Sequence, residues 1–99
     1  MTGRWSGTVA SPLGPVPISL SIVDSMLATV TALSAQDAIL EEFRGGRGRA
    51  SGHVDVTLPG LGSFRVFLRL GAIQGKLIGR AYARGDFGES PMKAELARE

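Results

Sequence analysis

The residues best able to do chemistry form one arginine–aromatic set: Arg65, Phe67 and Arg69, then Arg80, Tyr82 and Arg84. Each trio alternates along an apolar run, so in a strand each shares one face. Guanidinium groups fork onto carboxylate or phosphate oxygens, so two such strands side by side could hold an anion. The ordinary reading is a solvated outer face whose arginines stack on Phe67 and Tyr82, contacts worth about 0.5–1 kcal/mol each at exposed sites. With Trp5, the lone tryptophan, these residues are the candidate ligand-binding set. Trp5 would be buried in either of its roles, as plug of a barrel end or as floor of a cavity.

Other constellations read as structure. Phe43-Arg44-Gly45-Gly46-Arg47-Gly48-Arg49 has the form of a segment that binds RNA through flexible arginines. A single copy reads instead as a glycine-rich loop with exposed arginines. Ser51, His53 and Asp55 supply the residue types of a hydrolytic triad. Alternate strand residues stand roughly 6.5–7 Å apart, whereas a triad needs contacts near ~3 Å. No nucleophile-elbow glycine pattern is present, and His53, the only histidine, reads as part of an exposed strand face. Glu41 and Glu42 point apart as neighbours and read as solvent-facing charges. We expect no catalytic residue, no metal site and no cofactor.

Composition narrows the classes. A chain of 99 residues, 43% hydrophobic, supports one domain, 1–99, with one modest core. Aromatics make up only 6%, so that core leans on Val, Leu, Ile and Ala. A core this small makes a homodimer or a partner domain a natural neighbour. The absence of cysteine excludes disulfides, thiolate catalysis and zinc–thiolate sites. With no charged-then-apolar leader before Arg4, it favours a cytoplasmic setting. The most apolar stretch, residues 16–33, is broken by Asp24 and is no membrane span. A net charge of +2 gives no strong field, so nucleic acid is not an expected partner.

The elements that must position these residues are strands. Period-two alternation runs through residues 4–10, 16–23, 26–33, 52–58, 63–70, 76–84 and 92–96. Pro17 marks an edge or a bulge in the second. Residues 34–44 have the spacing of a short helix, with Ile39, Leu40 and Phe43 on one face and Gly45 as its cap. The expected fold is all-β: an antiparallel meander or up-and-down barrel of seven or eight strands, with that helix. Val54, Val56, Phe64, Val66, Leu68, Leu70 and Leu77 should face inward. If Gly71–Gly75 form the loop of the clearest hairpin, Leu70 lies near Leu77, Leu68 near Gly79, Val66 near Ala81 and Phe64 near Ala83. Arg69 then falls near Ile78, Phe67 near Arg80 and Arg65 near Tyr82. Small residues such as Gly79 and Ala81 opposite large ones imply either a tightly curved wall or space left for something else.

The opening, Arg4-Trp5-Ser6-Gly7-Thr8-Val9 followed by Pro12-Leu13-Gly14-Pro15-Val16-Pro17-Ile18-Ser19-Leu20, resembles the start of a small β-rich module attached to serine hydrolases of β-lactamase-like or α/β-hydrolase type. Trp-x-Gly-Thr also opens lipocalin-like and avidin-like barrels. The hydrolase resemblance implies an accessory domain with no catalytic residue of its own, since the nucleophile lies in the other domain. It also implies a strand between Ala38 and Phe43. The reading carried forward is a non-catalytic barrel that binds an apolar or amphipathic small molecule or packs on a partner domain. The alternative is a small barrel enzyme, of cyclase or isomerase type, that confines a reactive substrate. A cavity above about 300 Å³ favours a ligand, and a filled core favours packing.

Overall fold

In a computed structural model, the structure describes residues 2–12, 14–60, 62–85 and 88–99. Nine strands follow one another: β1 (Gly3–Ser11), β2 (Gly14–Ile22), β3 (Ala28–Ala32), β4 (Ala35–Ile39), β5 (Glu41–Gly46), β6 (Arg49–Leu58), β7 (Gly62–Ile73), β8 (Lys76–Gly85) and β9 (Gly88–Arg98). They form one antiparallel sheet in the order β4-β3-β2-β1-β9-β8-β7-β6-β5. The all-β class read from the alternation is therefore the observed one. No helix occurs among the described residues, and none is long and apolar enough to cross a membrane.

The sheet curls until its two edges approach. Edge strands β4 and β5 are joined through Leu40 alone, and hydrogen bonds stitch the seam. The Leu40 N–H donates to the Ala28 carbonyl at 2.9 Å and the Gly45 N–H to the Ser25 carbonyl at 2.8 Å. At the other end the Thr57 N–H donates to Ser34 Oγ at 2.7 Å. The molecule is thus a nearly closed barrel, which leaves little edge exposed for pairing with other chains.

Residues 34–44 form strands, not a helix. Leu40 and Phe43 are both buried, 3% and 2% exposed, although they are three apart. A bulge between Glu41 and Arg44 allows this, with Glu42 at φ 54°. An extra residue in a strand turns the next side chain back to the same face, which imitates helical spacing. The arginine–glycine segment is not a loose loop either. Gly45 and Gly46 pair with Ala50 and Arg49, and Arg47 and Gly48, both at positive φ (52° and 74°), make the two-residue turn between β5 and β6.

The hairpin of β7 and β8 keeps the expected faces but shifts the register. Leu70 pairs with Gly79, Leu68 with Ala81 and Val66 with Ala83; outside, Arg69 pairs with Arg80, Phe67 with Tyr82 and Arg65 with Arg84. The cause is the turn. Gly71, Ala72 and Ile73 belong to β7, and only Gln74 and Gly75 turn, at φ 51° and 79°. Two consecutive positive φ values give the turn whose twist suits a two-residue hairpin.

The inner face divides the barrel into two ends. Toward the β7–β8 turn, Trp5, Ile22, Leu40, Phe43, Leu70, Leu77 and Leu96 fill the interior, each 5% exposed or less. Val54, Val56, Leu68 and Leu70 are buried and face inward as expected, and Phe64 and Val66 pack against the core from its margin. Pro17 lies outside the Ser19–Ile22 stretch of β2 that pairs with β3, where its missing donor costs no ladder bond.

Candidate functional site, an apolar cavity and an outer groove

Toward the β1–β2 and β6–β7 turns the interior is not filled. A cavity of about 410 Å³ opens there, lined by apolar side chains from β1, β2, β3, β6, β7, β8 and β9. Its walls are Val9, Ile18, Val30, Val54, Val56 and Leu68, and its mouth is framed by Ser11, Pro12, Leu33 and Leu58. The space exists because β8 brings only Ala81 and Ala83 to this part of the inner face. No acidic, basic or histidine side chain lines it among the described residues. Such a space excludes ordered water, which needs polar partners, and suits an apolar molecule.

Trp5 does not belong to this cavity. It is 4% exposed at the filled end, with the Arg98 guanidinium carbon 4.9 Å from its ring centre. Arg98 Nη2 also donates to the Thr2 carbonyl, so the terminal strand caps the plug. Of the two roles open to Trp5, the structure places it as plug and not as cavity floor.

The other six candidate residues lie together on the outside wall. The register sets three cross-strand rows there: Asp55, Arg65 and Arg84; His53, Phe67 and Tyr82; and Ser51, Arg69 and Arg80. An open groove of about 510 Å³ lies over the middle row, with Phe67 and Tyr82 at its floor, Arg69 and Arg84 on its sides and Glu42 of β5 also in its lining. The Arg84 guanidinium carbon lies 5.4 Å over the Phe67 ring. Arg65 Nε bonds Asp55 Oδ1 at 3.0 Å. That bond holds the Asp55 carboxyl below its usual range and pushes the Arg65 guanidinium up.

His53 departs from expectation. It does sit on the outward face of β6, yet it is only 7% exposed. The β5 bulge lays Glu41 over it, with Glu41 Oε2 3.1 Å from His53 Nε2, and its ring centre is 5.3 Å from that of Phe67. Glu41 is thus a partner to His53 as well as a solvent-facing charge. Ser51, His53 and Asp55 are not brought into a relay, since His53 turns to Glu41 and Asp55 to Arg65.

The sequence marked the outer face clearly and left the cavity as one of two readings of small residues opposite large ones. Both readings hold, at different positions of β8: Ala81 and Ala83 border the space, whereas Gly79 lies against the backbone of β7. No family model, curated protein or solved structure matches the chain.

Proposed function

We propose that this protein is a binding module that holds an apolar small molecule inside its barrel. The observation that carries the reading is the cavity of about 410 Å³, walled by aliphatic side chains and open at one end. That volume lies within the range of small-molecule pockets, roughly 300–1,000 Å³. Among the described lining residues Ser11 carries the one polar side chain, with no acid or base in the lining to activate it, so retention of the ligand accounts for the site better than its conversion. Ser11 and the backbone at the mouth give one place for a weakly polar end group, so the ligand class extends to amphipathic molecules such as long-chain alcohols. The likeness of the opening residues to hydrolase-attached modules fits the same reading, because chemistry there belongs to a neighbouring domain.

The test is titration with the neutral dye N-phenylnaphthylamine, followed by displacement with a long-chain alcohol. Saturable fluorescence enhancement that the alcohol reverses is the expected result. Ala83→Leu puts a larger side chain into the cavity and should abolish it. Equal enhancement in this folded variant would place the dye elsewhere and end the proposal.

A further inference from the structure

The outer groove has features that the cavity does not explain. Its charge is unevenly compensated. In one flanking row Arg65 is paired with Asp55 at 3.0 Å. In the other, Arg69 stands directly opposite Arg80, and Arg80 directly opposite Lys93 on β9. No ion pair joins any of these three cations to a carboxylate among the described residues; the acids that are paired serve His53, Arg65 and Lys76. Like charges directly across strands destabilise a sheet, so a row of three on adjacent strands is a local cost that a bound anion would remove.

The neighbouring row supplies the second half of a site. His53, Phe67 and Tyr82 lie one pleat repeat away, roughly 6.5–7 Å along the strands. The floor is held in place: His53 is pinned by Glu41, and Phe67 lies between the His53 ring and the Arg84 guanidinium. A ring-bearing floor beside the Arg69 guanidinium, which no carboxylate among the described residues pairs although Glu42 also lines the groove, is complementary to a flat molecule with an aromatic body and one anionic edge. We infer that the groove over Phe67 and Tyr82 is a second binding site, for an aromatic carboxylate whose carboxyl group is taken by Arg69 with Arg80 beside it. The ring rests on the aromatic floor, and Arg69 presents its fork to the two carboxylate oxygens. The wall separates this site from the cavity: Phe67 and Arg69 point out of the same strand whose Val66 and Leu68 point in.

The test is calorimetric titration of the folded protein with naphthoate at two salt concentrations. Naphthoate should bind saturably and more weakly at high salt, since exposed charges are screened beyond about 8–10 Å. Arg69→Ala should weaken it by about tenfold or more through the lost charge-assisted bonds. Neutral naphthalenemethanol and non-aromatic cyclohexanecarboxylate should each bind at least several-fold more weakly than naphthoate, because each lacks one half of the match. Ala83→Leu, which changes only the inner cavity, should leave naphthoate binding intact. Loss in Ala83→Leu, indifference to Arg69→Ala, or equal binding of the neutral analogue would overturn the inference. So would a short oligothymidylate that competes for the groove at much lower concentration, which would make the face a nucleic-acid surface instead.

Discussion

Three small residues on the same face of β8 serve opposite purposes. A Cβ built on Gly79 would stand 1.9 Å from the Arg69 carbonyl oxygen, a collision with backbone that no side chain can relieve. Gly79 is therefore where the wall bends sharply, while Ala81 and Ala83, further along, border empty space. Gly79→Ala should destabilise the fold by about 3 kcal/mol or more, at the upper end of single substitutions. Urea unfolding checks this, and a loss below about 1 kcal/mol would mean that the bend relaxes without difficulty. Asp55 shows the residue scale in its electrostatics. The bond from Arg65 lowers its carboxyl pKa in the folded state, so the unfolded chain takes up this proton at higher pH. The resulting stabilisation is present above the unfolded-state value, about 3.9, and is lost as pH falls through the lower folded value. Because the pair is exposed the effect is small. Asp55→Asn should cost little at neutral pH and make the melting temperature less sensitive to acid below about pH 4. A steeper acid dependence in the variant would contradict the assigned sign.

At the scale of elements, the strongest alternation was the most legible. β6, β7 and β8 carry uninterrupted period-two patterns, and their inner and outer faces follow from it. Their register did not follow, because Gly71 looks like the start of a turn and only backbone geometry shows that the chain turns two residues later, at Gln74 and Gly75. β4 and β5 were illegible for a different reason. The bulge at Glu42 buries Leu40 and Phe43 on one side, and that spacing cannot be told from a helical face without knowing the partner strand. The size of the cavity depends on how the seven strands that line it curve together, which no local pattern records. This division between elements has an energetic consequence. Leu77 is fully buried at the filled end, whereas Leu68 borders the cavity and has empty space on one side. Leu77→Ala should cost about 3–5 kcal/mol and Leu68→Ala nearer ~2 kcal/mol, both within the span of buried leucine truncations. Chemical denaturation of the two variants decides the ranking, and the reverse order would mean that the cavity end is the better packed.

For the whole molecule, the cavity is a standing loss. Interiors are normally packed without voids larger than water, and side chains that face empty space forgo dispersion contacts. A domain of this size has a total stability of only about 5–15 kcal/mol, so an unfilled apolar space is a substantial fraction of what holds it together. If the space is kept for a ligand, stability and binding should trade against each other at one position. Ala83→Leu replaces void with side chain and should stabilise the ligand-free barrel by about 0.5–2 kcal/mol, the usual gain from cavity filling. In a chain this short, each 1 kcal/mol raises the melting temperature by roughly 4–8 °C. The parent protein should gain similarly from the ligand instead, by about 2.7 kcal/mol when the free ligand is a hundred times its dissociation constant. Thermal melts of both proteins, with and without a long-chain alcohol, separate the cases. The expected pattern is a parent that melts later only with the alcohol and a variant that melts late regardless of it. A variant that melts earlier than the parent, with packing otherwise intact, would mean that the interior closes over this space in solution, leaving the barrel no room for a guest.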